Sequence, residues 1–332
     1  MSALRFTALC HWIIALVAFV CLAGVPQSEL GASPASDVAP SQSAGTDIWV
    51  VSTRRLPDLC SLPKNVSFDV ERLVPGKSSQ CSRWLRSDLV SLLDDPTQPL
   101  LIFIHGNRYD PASAKSQGLL LARRAQACCP AGPQVRTVIF SWPSSQDGIL
   151  LQDSRKKYQR SMTDGHYLGW LLGQLEPERP LAIVGYSYGA LISLEAIDNL
   201  IKAEQAGRTE LQSLINRPGR LNLVLVAAAV RQDALAPRGQ YRRVLGSIDR
   251  LTLLNNTSDK PLGFFEYIDR SLSTEALGHE NMPARWVPSD VEFVQFDAAS
   301  IVGKSHRFPP YIDSPSLRQR LVTGALDGLT GD

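Results

Sequence analysis

The sequence predicts an α/β fold: a mostly parallel sheet of about eight strands with helices on both faces. Continuous apolar runs alternate with helix-periodic segments from residue 100 onward, which is the pattern of a parallel sheet buried on both sides. The chain has 332 residues and is 44% hydrophobic, enough to bury such a core. Two earlier strand-like runs, 47–52 and 68–74, have no helix between them and are expected to pair antiparallel at the N-terminal edge.

The predicted elements follow a regular order along the chain. Strands are predicted over apolar or alternating runs at 47–52, 68–74, 100–104, 135–141, 181–184, 221–230, 250–255 and 291–296. Helix-periodic segments are predicted at 112–127, 149–175, 191–201, 241–248, 262–268 and 317–326. The long segment 149–175 is expected to break near Asp164 and Gly165, since glycine is a poor helix former.

Residues 1–25 are predicted to be an export signal and not part of the fold. Arg5 supplies a basic start, and residues 12–25 form an apolar run that ends in small residues. A run of this length favours a cleaved signal, and an uncleaved membrane anchor is the alternative. We therefore expect a periplasmic or extracellular protein that contacts a membrane only if this segment is retained.

The remaining chain divides into a linker and one domain. Residues 26–46 are rich in Ser, Ala, Pro and Gly and are predicted to be a disordered linker, because they have too little apolar surface to bury. Residues 47–330 are predicted to form a single α/β domain. The formal net charge is +2, from 34 basic and 32 acidic residues without a basic block, which argues against nucleic-acid binding.

The six cysteines and five histidines do not suggest a metal site, because no C-x-x-C pair occurs, and no cofactor is expected. Cys60 and Cys81 flank the predicted strand 68–74. In an exported protein they are the natural disulfide pair, because oxidising compartments favour such bonds. Two free buried thiols are the alternative.

A strand, a sharp turn and a helix are predicted around Ser187. The apolar run 181–184 leads into Gly185-Tyr-Ser-Tyr-Gly189, and apolar positions at helical spacing follow. Glycines two before and two after a serine let strand and helix approach closely around a strained turn that exposes the hydroxyl. The following helix directs its positive end at this serine. The pattern predicts a nucleophile, and an ordinary strand-to-helix turn is the alternative.

A serine nucleophile needs a base, and the chain offers only five histidines. His11 lies in the export signal, and His105 and His166 precede the serine. In this arrangement the base follows the serine, on the loop after the last strand. His306 fits that position, and His279 is the alternative.

The base in turn needs a carboxylate that fixes its tautomer. Asp259 lies just past the penultimate strand, in a turn rich in Asn, Ser and Pro, and is the preferred acid. Asp233, after the strand before it, is the alternative. Asp297 and Asp313 lie too close to the strand and loop of the histidine to be first choices.

Backbone amides are predicted to stabilise the charge that develops when a serine attacks a carbonyl. His105-Gly-Asn107 ends the strand two before the serine strand, where an oxyanion loop is expected. The N–H groups of Asn107 and Tyr188 would form the oxyanion hole. His105 is then expected to shape this loop and not to act as the base.

Together these residues resemble the α/β-hydrolase superfamily, and in particular a bacterial branch of uncharacterised members. The matching motifs are Ile102-Phe-Ile-His-Gly-Asn107, Ser141-Trp-Pro143 and the Gly-x-Ser-x-Gly turn, and the resemblance covers roughly residues 47–330. It implies a serine hydrolase with Ser187, Asp259 and His306 as its triad. One departure is that Arg108 and Tyr109 follow Asn107, where the hormone-sensitive-lipase type has a glycine-rich run.

Two functional hypotheses follow. The first is an exported serine hydrolase with an acyl-enzyme intermediate that acts on small-molecule carboxylic esters. The second is a catalytically inactive binding module with the same fold. Basic residues of the segment 149–175 offer a surface for anionic substrates, although a solvated helix face is the favoured interpretation; they are Arg155, Lys156, Lys157 and Arg160.

Overall fold

The structure is a computed structural model that describes residues 47–76, 82–128, 134–208, 210–268 and 274–329. The predicted export signal, 1–25, and linker, 26–46, lie outside the described residues. Within the described ranges, no helix is both long enough and apolar enough to cross a membrane.

Nine strands form one mostly parallel sheet, which confirms the predicted fold class. They are β1 (Ile48–Ser52), β2 (Asp69–Val74), β3 (Arg83–Ser87), β4 (Leu100–Ile104), β5 (Arg136–Ser141), β6 (Leu181–Tyr186), β7 (Leu221–Val226), β8 (Arg250–Asn255) and β9 (Glu292–Asp297). Their order in the sheet is β3-β2-β1-β5-β4-β6-β7-β8-β9. Only the pairs β1–β2 and β2–β3 are antiparallel, so the antiparallel edge lies on the N-terminal side as expected.

Five strands in the middle of the sheet are buried along their whole length, which is why their sequences read as continuous apolar runs: β4, β5, β6, β7 and β8. β7 ends at Val226, earlier than the predicted 221–230, because Ala227 adopts a φ of +43° and leaves the extended region. β3 was not predicted from the sequence and adds the ninth strand.

The helices cover the sheet in two groups. They are α1 (Leu89–Leu93), α2 (Pro111–Cys128), α3 (Leu150–Leu172), α4 (Tyr188–Gln205), α5 (Ala299–Val302), α6 (Pro309–Asp313) and α7 (Pro315–Leu326). α3 packs along α4, whereas α2 packs against α6 and α7, and each group contacts the strands. Three 3-10 segments, Arg242–Ser247, Leu262–Tyr267 and Ala284–Trp286, lie in the loops around β8 and before β9.

α3 is continuous, so the predicted break near Asp164 and Gly165 is wrong. The glycine is there because two helices approach closely: a Cβ at Gly165 would lie 2.5 Å from the Cβ of Glu195 on α4. The neighbouring Asp164 is fully buried and hydrogen-bonded to Thr53 and Arg160. The close packing of α3 on α4 explains Gly165, and the buried hydrogen bonds explain Asp164. Neither residue ends the helix.

The parallel register brings several loops to one edge of the sheet. Ile104 is paired with Gly185, and Gly185 is paired with Leu225, so the carboxyl ends of β4, β6 and β7 are level. The loops that follow β4, β6, β8 and β9 therefore leave the sheet at the same edge. In such sheets this edge is where reactive groups collect.

Candidate active site

Ser187 lies between β6 and α4 in a strained backbone conformation. Its φ is +55° and its ψ is −117°, a combination that non-glycine residues rarely adopt. Hydrogen bonds hold this geometry from both sides: the Ser187 N–H donates to the Val226 carbonyl at 2.9 Å, and the Ser187 carbonyl accepts from Ala229 at 3.2 Å. The side chain is thereby fixed at the start of α4.

The two glycines around Ser187 are required by close backbone contacts. A Cβ at Gly189 would lie 2.1 Å from the Ile104 carbonyl oxygen, and a Cβ at Gly185 would lie 2.7 Å from the Gly189 carbonyl oxygen. Neither atom is the flexible end of a side chain, so a larger residue would force the backbone apart. The Gly-x-Ser-x-Gly pattern therefore reflects the packing of β4, β6 and α4.

His306 connects Ser187 to Asp259 through its two ring nitrogens. Nε2 lies 2.8 Å from the Ser187 Oγ, and Nδ1 lies 2.6 Å from the Asp259 Oδ2. Because a carboxylate can only accept, Nδ1 carries the proton, which leaves Nε2 free to accept the serine proton. The structure thus brings together three residues that are distant in the sequence: Ser187 lies 119 positions before His306, and Asp259 lies 47 positions before it.

The loops that carry the acid and the histidine are tied to each other. Asp259 is fully buried, and its other oxygen accepts from the Leu262 N–H at 3.1 Å. The Asn256 amide donates to the Gly303 carbonyl at 2.8 Å and to the Ser305 carbonyl at 3.2 Å. The Tyr186 hydroxyl donates to the carbonyl of His306 itself. The sequence did not predict these contacts of Asn256 and Tyr186, because no local pattern indicates contacts between such distant loops.

The alternative acid and base have other partners. Asp233 makes two hydrogen bonds with Arg231, at 3.0 and 2.9 Å, and this contact lowers the pKa of its carboxyl group. The Nδ1 of His279 lies 3.7 Å from Glu280. Asp297 accepts from Thr257. Asp259 is therefore the carboxylate that contacts His306.

Asn107 and Tyr188, the predicted oxyanion residues, lie on the loop after β4 and at the start of α4. Among the described residues, no acceptor is bonded to the backbone N–H of either one. Gly106 brings the two segments together, since a Cβ there would lie 3.0 Å from the Cβ of Ser187. Both amides are therefore available next to the serine.

His105 is a structural part of this loop. It is fully buried, its Nδ1 lies 2.9 Å from the Gly106 carbonyl oxygen, and its ring stacks on Trp142 at 5.8 Å. Burial lowers its pKa to about 3, so it is neutral at physiological pH. These contacts agree with the expectation that His105 shapes the loop.

Arg54, a residue that the sequence did not single out, braces the same loop. Its guanidinium donates to the Tyr109 carbonyl and to the Ser141 hydroxyl, both at 2.8 Å. Burial lowers its pKa to about 10, partly opposed by Asp110 and Asp164. Arg54 therefore connects the segment after β1 to the loops after β4 and β5.

Aromatic side chains surround the serine. Tyr186 lies 5.5 Å from the His306 ring, and Tyr109 lies 6.3 Å from Tyr186, measured between ring centroids. Tyr188 contacts Tyr158 at 6.0 Å and donates its hydroxyl to the Ser154 carbonyl. Burial raises the pKa of both Tyr186 and Tyr188 well above the usual tyrosine value, so these phenols stay protonated.

Two further features lie outside this group. Glu275, His279 and Glu280 each place a possible metal-ligand atom within 4.8 Å of the others, a cluster that the sequence did not predict. Cys60 is exposed, and Cys81 lies outside the described residues, so the predicted disulfide stays a prediction.

A cavity of about 780 Å³ lies away from the serine. Its walls include Asp47, Pro99 and Arg136, which stand at the amino ends of β1, β4 and β5. Ser187 follows the carboxyl end of β6, which is parallel to β4. The cavity therefore lies at the amino ends of the parallel strands, and the candidate active site lies at their carboxyl ends.

No curated protein matches the chain in sequence. Several solved structures resemble its fold. An inhibited esterase B from Lactobacillus rhamnosis is 13% identical, with 75% of this chain and 81% of that chain covered and a TM-score of 0.37. Acyl-protein thioesterase 2 from Zea mays is 13% identical, with 68% and 92% covered and a TM-score of 0.34. The carboxylesterase Cest-2923 from Lactobacillus plantarum is 12% identical, with 79% and 98% covered and a TM-score of 0.35.

Likenesses this distant do not transfer an activity. The model of the alpha/beta hydrolase family matches residues 101–327, well over half of the chain. The matched region includes Ser187, Asp259 and His306. It also includes the strands from β4 to β9. The chain therefore belongs to the alpha/beta hydrolase family.

Proposed function

We propose that the protein is a serine hydrolase that cleaves small-molecule carboxylic esters with Ser187, His306 and Asp259. The observation that carries this proposal is the continuous hydrogen-bonded chain from the Ser187 Oγ through both nitrogens of His306 to the buried Asp259. It lies where a strained turn, a helix N-terminus and two backbone amides meet. No metal or cofactor takes part in this mechanism.

The first half of the reaction forms an acyl-enzyme. The Ser187 Oγ attacks the ester carbonyl carbon while its proton passes to the His306 Nε2. The carbonyl oxygen becomes an oxyanion and accepts from the N–H groups of Asn107 and Tyr188, neither of which is bonded to an acceptor among the described residues. His306 then returns the proton to the departing alcohol oxygen as the C–O bond breaks.

The second half releases the acid. A water molecule gives a proton to the His306 Nε2 and attacks the acyl carbon, and the tetrahedral intermediate collapses when the proton moves to the Ser187 Oγ. Asp259 keeps its hydrogen bond to the Nδ1 of His306 and stabilises the imidazolium that forms in each half. The strained φ of Ser187 and its bonds to Val226 and Ala229 keep the hydroxyl in line with His306 during both halves.

The rival hypothesis is a binding module that has lost catalysis. Such a module has no need for a buried acid, a base with both nitrogens engaged and two unbonded amides in one place. The hydrogen-bond geometry around His306 therefore supports the hydrolase over the module.

Labelling with a fluorophosphonate tests the proposal. We expect the probe to attach to Ser187 in the wild-type protein, and Ser187→Ala to lower ester hydrolysis by about 10⁴-fold or more. Ser316→Ala, an exposed serine at the start of α7, is the control and should keep wild-type labelling. A wild-type protein that is folded but neither labels nor hydrolyses 4-nitrophenyl esters would refute the proposal.

We also propose that the enzyme is exported. The support is the basic start and the apolar run within residues 1–25, followed by small residues. Expression of the full chain with cell fractionation and intact-mass measurement tests this. We expect protein outside the cytoplasm that has lost the N-terminal segment, and a full-length cytoplasmic product would contradict export.

A further inference from the structure

Two arginines directly follow residues of the candidate active site. Arg108 is next to Asn107, and Arg307 is next to His306. Both side chains are exposed. The backbone of Arg108 is fixed, with a φ of +62° and its N–H donating to the Ser144 carbonyl at 2.7 Å. Both arginines therefore lie at the rim of the same site, one on the oxyanion loop and one on the histidine loop.

Across the described ranges, Arg108 and Arg307 make no ion pair and no side-chain hydrogen bond. The basic residues of α3 differ: Arg160 contacts Asp58 and Asp164, and Arg155 donates to the Tyr267 carbonyl. The charges of Arg155 and Arg160 serve internal contacts, whereas the side chains of Arg108 and Arg307 make none with the residues that the structure describes.

The charges of these arginines reach the tyrosines around Ser187. Arg108 lowers the pKa of Tyr188 against the larger effect of burial, and Arg307 does the same for Tyr186 and Tyr109. Two carboxylates act on these tyrosines in the opposite direction, and both have partners. Asp153 lies 4.0 Å from Lys157, and Asp259 is bonded to His306. Of the charged groups that act on these tyrosines, Arg108 and Arg307 are therefore the ones without an ion-pair partner in the described part of the chain.

We propose that Arg108 and Arg307 bind an anionic group of the substrate, so that the enzyme prefers esters that carry a carboxylate or a phosphate. A guanidinium matches either group with two parallel hydrogen bonds. The inference rests on the proposed hydrolase function and adds the substrate class. Arg307 follows His306, which protonates the leaving alcohol oxygen, so it lies on the side of an anion in the alcohol part of the ester. Arg108 follows Asn107, whose N–H binds the oxyanion, so it lies on the side of an anion in the acyl part.

Matched substrate pairs test this preference. On the acyl side, the mono-4-nitrophenyl ester of glutarate is compared with 4-nitrophenyl valerate. On the alcohol side, 4-acetoxyphenyl phosphate is compared with 4-acetoxyanisole.

The readout is the ratio of kcat/KM for the anionic ester to that for its neutral partner. We expect a ratio of about ten for one pair at low salt, and a clear fall in about 0.5 M NaCl because exposed charges are screened. The pair that shows the preference identifies the side and the anion.

Variants assign the effect to the two arginines. Arg108→Gln and Arg307→Gln should each lower the ratio, and the double variant should bring it to about one. Arg124→Gln is the control, because this exposed arginine of α2 lies about 20 Å along the helix from its start beside the site. A wild-type ratio near one for both pairs, or a double variant with an unchanged ratio, would overturn the proposal.

A binding measurement separates this inference from the proposed function. In a Ser187→Ala background, calorimetry measures the affinity for the mono-ester of glutarate with and without the two Arg→Gln changes. We expect the affinity to fall by about tenfold when both arginines are replaced. Arginine-dependent binding, together with a folded wild-type protein that hydrolyses none of the esters, would support the anion site and refute the hydrolase. Arginine-independent binding would refute the anion site.

Discussion

At the scale of single residues, the tautomer of His306 decides whether Ser187 can lose its proton. Asp259 accepts from Nδ1 and thereby holds the ring with Nε2 unprotonated and directed at the serine. In Asp259→Asn, the new amide can donate to Nδ1, which favours the tautomer with a proton on Nε2. We expect kcat for 4-nitrophenyl esters to fall by about 10³- to 10⁴-fold while the thermal stability changes little.

Asp233→Asn is the matched control for that prediction. Asp233 is half-exposed and bonded to Arg231, so its loss should change kcat by less than about twofold. Stopped-flow measurement of the acylation burst in both variants separates a loss of acylation from a loss of deacylation. A large fall in Asp233→Asn with normal activity in Asp259→Asn would reverse the assignment of the acid.

Residue types and spacing predict only the parts of the site that have a local pattern. Ser187 is marked by its two glycines, and His306 follows from the small number of histidines and from chain order. Asp259 and Asp233 both follow a strand. The composition of its turn favoured Asp259, and the contacts in the folded chain show that this carboxylate is the one bonded to His306. Arg54 had no such pattern, because its partners come from the loop after β4 and the end of β5, which meet only after folding.

At the scale of elements, burial explains which strands were predicted and which one was missed. The central strands are buried on both faces, so their apolar runs are unambiguous. β3 lies at the sheet edge, and its sequence includes the exposed Arg83 and Arg86. Charges on an edge strand prevent pairing with another chain, and they also remove the apolar pattern by which strands are recognised. The charged β3 is therefore the strand that was missed, whereas β9, at the other edge of the sheet, was predicted from its apolar residues.

Gly165 shows that local propensity can also mispredict a helix. A glycine in an apolar-periodic segment lowers the helix propensity by about 1 kcal/mol, which predicts a break. In the folded chain it lets α3 approach α4, and the same holds for Gly169, whose Cβ would lie 2.9 Å from the Ala196 carbonyl oxygen. Tertiary packing thus outweighs propensity, and no window of local sequence contains that information.

At the scale of the whole molecule, one buried carboxylate connects the N-terminal part of the domain to α3. Asp164 is fully buried and accepts from Thr53 and from the Arg160 guanidinium, at 3.0 Å for the latter. Arg160 in turn donates to the Leu56 carbonyl at 2.9 Å. Burial raises the pKa of Asp164 to about 6, although Arg160 opposes the shift. The folded protein therefore holds the Asp164 proton more tightly than the unfolded chain does.

This raised pKa makes the free energy of unfolding fall as pH rises from about 4 to about 6, since only the folded state then binds the proton. A difference of roughly two pKa units corresponds to about 3 kcal/mol. Asp164→Asn cannot ionise, so its stability relative to wild type should improve by up to this amount between pH 4 and pH 7. Urea unfolding of both proteins at the two pH values measures the change.

Asp58→Asn is the control, because this carboxylate binds the same guanidinium but its side chain is 81% exposed. It should shift the free energy of unfolding by about 1 kcal/mol at most. A stability difference between Asp164→Asn and wild type that stays constant with pH would show that Asp164 is ionised in the folded protein over this whole range.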